Sequence, residues 1–150
     1  MTSRLNYSKI AAAGMRALNG VHSYVAQSGL PRVLIDLVYL RVSQINGCAY
    51  CIDMHSRDLL QSGISIEKLV LVPAWREADN LFSELERAAL AWAEAVTKVT
   101  ETNVSDDDYQ VASSHFSEKE LVDLTIAIGL MNALNRLSIS FRAVPEAAKC

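Results

Sequence analysis

The chain has 150 residues, 51% of them hydrophobic and 21% charged, with a formal net charge of −3. That length suits one domain, residues 1–150, with a substantial core. The charge balance leaves no basic footprint for nucleic acid or an anionic membrane surface. Three cysteines, behind a first stretch that lacks the apolar core of a signal peptide, argue against a secreted disulfide scaffold and point to the cytoplasm.

From Ile10 to Ser28, apolar residues recur at helical spacing (Ile10, Met15, Leu18, Val21, Val25), and Ser28-Gly29 ends the run. Pro31 suits a first helical position, and Pro31 to Ile45 reads as a second helix with Leu34, Leu37, Val38, Val42 and Ile45 near one face. After Asn46-Gly47 a third helix is predicted to run to about Gln61, with Gly63 as its stop. Ser65 is the expected N-cap of a short helix closed by Pro73, and Trp75–Asn80 reads as a connection that packs its tryptophan inward.

Two capping boxes organise the second half. Ser83 with Glu86 opens a helix to about Lys98 or Thr100, and Ser117 with Glu120 opens another to about Arg142. Between them, Ser105 and the acidic run Asp106–Asp108 start a short helix to Ser113. The last long helix is apolar around much of its circumference, which marks a core or interface element. Its uncharged run Leu124–Asn135 is too short to span a bilayer. No hairpin signal, repeat or low-complexity linker interrupts this pattern. The prediction is an all-α domain of about six to eight helices.

The chemistry concentrates in Ile45-Asn46-Gly47-Cys48-Ala49-Tyr50-Cys51-Ile52-Asp53-Met54-His55. On a helix, positions 48, 51, 52 and 55 share a face. Cys48 is expected in the first turn, where free N–H groups and the helix dipole favour a thiolate, while His55 at the i,i+4 position favours Cys51. Spacing alone does not choose between them. Haem attachment requires histidine where Ile52 stands, and a thioredoxin-like motif requires a preceding strand where the pattern is helical. Zinc on Cys48, Cys51 and His55 lacks a fourth ligand, so no metal is expected. The bland alternative is a pair of buried structural cysteines. An ideal helical pair three residues apart is too widely spaced for a disulfide, so oxidation is expected to tighten the first turn.

The run Leu40–His55, with Trp75-Arg76-Glu77, Glu86-Arg87-Ala88-Ala89-Leu90-Ala91-Trp92 and Asn132-Ala133-Leu134-Asn135-Arg136, resembles the alkylhydroperoxidase D-like branch of the carboxymuconolactone decarboxylase family. The resemblance covers about Leu5 to Arg142. It implies an all-helical subunit in a homo-oligomer, a trimer or hexamer, with no cofactor. It also implies that Cys51 attacks a peroxide, Cys48 resolves the sulfenic acid, and His55 relays protons. A dithiol donor such as a lipoylated protein would reduce the disulfide. Asp36 stands twelve residues before Cys48, where the family has glutamate, and Tyr50 stands where the peroxidase archetype has a second histidine. Lactone decarboxylation is the less favoured alternative from the same superfamily, because the decarboxylase members are not known for the C-x-x-C. A redox sensor or assembly switch using the same disulfide is the alternative from another class.

Elsewhere the expectations are structural. Asp36 follows Arg32 by one turn and reads as well as an exposed ion pair. His22 and His115 are structural or solvated, Tyr50 packs, and terminal Cys150 is exposed without a catalytic role.

Overall fold

A computed structural model describes residues 2–148 of the chain, so Cys150 lies outside the described residues. Nine α-helices form among those residues, with no strand: α1 (Tyr7–Ile10), α2 (Ala12–Ala26), α3 (Arg32–Asn46), α4 (Ala49–Gln61), α5 (Ile66–Val70), α6 (Glu84–Thr97), α7 (Val99–Thr102), α8 (Asp106–Ser113) and α9 (Glu118–Phe141). The all-α prediction holds, and the count exceeds the expected six to eight. The first expected helix divides at Ala11, whose ψ of 46° leaves the helical region, and the brief α7 follows α6 without a capping residue to announce it.

The capping chemistry sets the boundaries much as the sequence implies. Reciprocal capping boxes form at Ser83/Glu86, Ser105/Asp108 and Ser117/Glu120, and Ser65 accepts the Lys68 N–H at 3.2 Å. Pro31 caps α3 rather than entering it, with ψ at 130°. At the end of α4, Gly63 takes a φ of +88° and donates to the Leu60 carbonyl, while Ile64 donates to Leu59. This is the paired bond pattern of a left-handed glycine stop.

Helix α3 is the axis of the molecule. Leu37, Val38, Leu40 and Val42 are fully buried, and the helix packs on α4, α6 and α9. Its side chains serve two apolar clusters. Val38 and Val42 join Ala89, Trp92, Leu124 and Ile128 from α6 and α9, and Cys48 and Cys51 belong to the same cluster. Leu37 and Leu40 face Leu59, Trp75, Phe82 and Leu90. Each fully buried leucine or isoleucine contributes roughly 1.5–3 kcal/mol, which suffices to anchor α4 between these layers.

The Trp75 connection folds as the 3-10 turns Val72–Glu77 and Asp79–Leu81, with its indole inside as expected. The indole N–H donates to Glu94 at 3.0 Å, Arg41 pairs with Glu94 at 2.7 Å, and Arg76 completes the cluster. By length and composition α9 is long and apolar enough to cross a membrane, although its uncharged run alone is short. In this fold it packs against α2, α3 and α6 and buries the polar residues Asp123, Asn135 and Ser138 along with its apolar ones.

Candidate active site

The dithiol sits at the junction of α3 and α4, and one glycine makes the junction. Gly47 adopts a φ of +71°, Gly47 N–H donates to Gln44 and Cys48 N–H donates to Ser43 at 2.9 Å. Cys48 therefore closes α3 and at once becomes the N-cap of α4, because its carbonyl accepts the Ile52 N–H at 2.9 Å. Its ψ of 93° is extended, so its side chain leaves the helical cylinder. Sequence spacing places Cys48 within the first turn; the glycine stop puts it one position earlier. The two thiols share one buried cluster and lie near enough to shift each other's titration.

Both cysteines are free and buried. The electrostatics separate them. The neighbouring polar groups of Cys48, Ser138, Asn135 and Ser43 lower the Cys51 pKa to about 7 against the opposing effect of burial. The neighbouring Cys51, with burial, pushes the Cys48 thiol up. The dipole argument for a Cys48 thiolate thus yields to local hydrogen bonding. Of the pair, Cys51 is the more acidic thiol.

Ser43, Asn135 and Ser138 are the residues that sequence reading missed as functional. Ser43 lies fully buried on α3, and Asn135 Nδ2 donates to its hydroxyl at 3.0 Å. Asn46 Nδ2 donates to Asn132 Oδ1 at 3.0 Å and to Asn135 Oδ1 at 2.9 Å, tying the α3 terminus to α9. Ser138 lies 3.3 Å from the Tyr7 hydroxyl. The signal was present in the spacing: Asn132, Asn135 and Ser138 recur every three residues along the C-terminal half of α9.

A cavity of about 170 Å³ opens on this site, lined by Gly47, Cys48, Tyr50, Ser138, Arg142 and their neighbours. It reaches Cys48, whereas Cys51 is not part of its lining. Tyr50 therefore borders the access route as well as packing on the core.

His55 and Asp36 form a second buried group. Asp36 is only 1% exposed, contrary to the expectation of an exposed ion pair, although its partner Arg32 does bond Oδ2 at 2.7 Å. Asp36 belongs to the inward face of α3, so only the long arginine side chain reaches solvent. Burial raises the Asp36 pKa against the opposing pull of Arg32. Asp36 Oδ1 lies 3.9 Å from His55 Nδ1, beyond a direct hydrogen bond. His55 is 3% exposed, its ring tilts against Tyr39 with centroids 5.1 Å apart, and its two nitrogens have no hydrogen-bond partner among the described residues. Burial, reinforced by His22 and Arg32, lowers its pKa to about 4, so the imidazole is neutral at ordinary pH. His22 also stacks on Tyr39, and His115 is exposed, as expected.

The model of the carboxymuconolactone decarboxylase family matches residues 12–95, more than half of the chain and the whole of the dithiol junction. The chain belongs to this family. Within it the chain is AhpD-like. It is 40% identical to a protein of unknown function from Agrobacterium tumefaciens, ATU0492, whose crystal structure superposes with a TM-score of 0.92 over 96% of this chain and 98% of that one. It is 37% identical to the uncharacterized protein YdfG of Bacillus subtilis over 93% of this chain and 95% of that protein. A shorter match, 46% identity over 72 residues, links 46% of the chain to 40% of the alkyl hydroperoxide reductase AhpD of Rhodopseudomonas palustris. At family level these likenesses are to antioxidant and peroxidase-related proteins.

Proposed function

We propose that the protein is a thiol-dependent peroxidase that cycles Cys48 and Cys51 between dithiol and disulfide. The observation that carries this reading is the pairing of two free, buried cysteines in one cluster at the α3–α4 junction, where polar neighbours lower the Cys51 pKa to about 7 and so favour a thiolate beside a second thiol. The Cys51 thiolate attacks the peroxide O–O bond and becomes a sulfenic acid, and the bond's electrons leave with the alkoxide, which takes a proton to become an alcohol. Cys48 then gives up its proton and attacks the sulfenic sulfur, expelling water and closing the disulfide. His55, one turn beyond Cys51 on α4, relays protons in these steps, and Asp36 positions it.

Reduction fits the same geometry. A dithiol donor, such as a lipoyl group on a partner protein, enters the cavity and attacks Cys48. Cys51 leaves as the better-stabilised thiolate. The donor's second thiol then resolves the mixed disulfide and takes the two oxidising equivalents. The cytoplasm, a reducing compartment, suits such a cycle.

We further propose that the chain works as a homo-oligomer, a trimer or hexamer. Helix α2 buries only Val25, and an apolar groove of about 500 Å³ runs between α1, α2 and the end of α9, lined by Leu5, Ile10, Met15, Leu18, Leu137 and Phe141 among others. Light scattering on the eluting protein tests the assembly: a trimeric or hexameric mass supports it, and a monomer at micromolar concentration refutes it. The activity is tested by peroxide consumption with a dihydrolipoyl donor for wild type, Cys48→Ser and Cys51→Ser. Turnover in wild type with loss in both variants is expected; equal inactivity of all three, with no disulfide formed, would end the proposal.

A further inference from the structure

The carboxylate of Asp36 does not reach His55 directly, and its Oδ2 is committed to Arg32. A second carboxylate approaches the same ring nitrogen. Asp58, three residues beyond His55 on α4, places Oδ2 3.7 Å from His55 Nδ1. Asp36, His55 and Asp58 thus bring three donor atoms within 4.8 Å of one another, and both Asp36 Oδ1 and His55 Nδ1 are buried without a hydrogen-bond partner among the described residues. The two separations exceed a direct bond, yet a side-chain rotation or one bridging water closes either.

We infer that Asp58 is a second positioning carboxylate for His55, sharing with Asp36 the task of holding the proton on Nδ1 so that the buried Nε2 lone pair is the proton acceptor. The inference rests on the proposed relay role of His55, but its physical content is the state of the resting ring. A neutral imidazole has one N–H, and an acceptor at one nitrogen fixes the tautomer. Asp58 suits the task better than Asp36 in one respect. Its side chain is 35% exposed and so partly hydrated, whereas burial makes the Asp36 charge more costly. The remaining groups facing the ring are His22 from α2 with Arg32 and Tyr39 from α3. The two basic groups disfavour an imidazolium, so the paired carboxylates set the orientation of the ring against a field that keeps it neutral.

Side-chain nitrogen NMR of the reduced full-length protein, without peroxide, reads the tautomer directly and does not depend on peroxidase activity. Wild type is expected to hold His55 as the Nδ1–H form. Asp58→Ala should raise the Nε2–H fraction severalfold, Asp58→Glu should restore the wild-type pattern, and Asp36→Asn with Asp58→Ala should lose the preference. In turnover, Asp58→Ala should cost on the order of tenfold in the rate of Cys51 oxidation, a part of the ~10²–10⁴-fold that a general base supplies. An unchanged tautomer in Asp58→Ala refutes the positioning role, whatever the activity. So does stoichiometric Mn²⁺ broadening of the His55 signals that Asp58→Ala abolishes, since the three atoms would then be a cation site. A wild-type tautomer that shifts as expected in a protein with no peroxidase turnover would uphold the positioning and overturn only the proposed function.

Discussion

Replacing Ser138 by alanine removes one donor from the Cys51 sulfur while leaving the apolar packing of α9 almost unchanged. Ser138 is 5% exposed, so water does not readily replace the lost hydroxyl. A hydrogen bond to a charged acceptor contributes about 1.5–3 kcal/mol. Cys48, Ser138, Asn135 and Ser43 all contribute to lowering the Cys51 pKa, which places the share of one of them at the low end of that range. At 1.36 kcal/mol per pKa unit, the Cys51 pKa should rise by about one unit, and the thiolate fraction at neutral pH should fall by up to about tenfold. The assay is the pH dependence of iodoacetamide labelling, read on the Cys51 peptide by mass spectrometry so that Cys48 and Cys150 do not contribute. A labelling midpoint that stays put in a folded Ser138→Ala protein, or moves equally in the remote control Ser114→Ala, would refute the hydrogen-bond account of the thiolate.

Other residues give independent checks. Gly47→Ala meets no atom within 4 Å of the added Cβ, but it forces an alanine to a φ of +71°; the expected cost is ~1–2 kcal/mol, read as a lower thermal midpoint with unchanged helix content. His55 is depressed to about 4 in the fold against 6.5 for a free histidine, so the unfolded chain gains its proton first as pH falls. Stability should therefore decline from about pH 6.5 towards pH 4, and urea midpoints across that window should fall more steeply for wild type than for His55→Gln. Glu94→Gln weakens bonds to Arg76, Trp75 and Arg41 at once, and a loss of about 2 kcal/mol in urea unfolding is expected; a loss under 0.5 kcal/mol would show that the cluster is dispensable.

Most of the scaffold was legible because local chemistry dictates it. The capping boxes at Ser83 and Ser117, the acidic start at Ser105, Ser65 and Gly63 start or stop helices through bonds between neighbours in sequence, and those signals survived into the fold. Where no cap exists, the boundary was missed: Ala11 and the start of α7 carry no side chain that could announce them. The dithiol, its helix and His55 were readable from spacing alone. The depth of Asp36 was not, because an i,i+4 arginine looks the same whether the acid faces water or the core. The donors Ser43, Asn135 and Ser138 come from α3 and α9, as many as 92 residues apart in sequence at the Ser43–Asn135 bond, and only tertiary packing brings them to the sulfur. Spacing left the choice of thiolate open. The dipole of α4 favours Cys48 and His55 at i,i+4 favours Cys51, and in the fold the polar groups of α3 and α9 lower the Cys51 pKa while that of Cys48 rises.

The central claim is that Cys51 is the attacking sulfur and Cys48 its resolving partner. Cys48→Ser protein exposed to one equivalent of hydroperoxide, then to dimedone, tests this most directly, because a sulfenic acid without its resolving thiol persists long enough to be trapped. The account predicts one dimedone adduct on Cys51 in Cys48→Ser, no adduct on Cys48 in Cys51→Ser, and a Cys48–Cys51 disulfide in wild type. An adduct on Cys48 in Cys51→Ser, with Cys51 unmodified in Cys48→Ser, would contradict it.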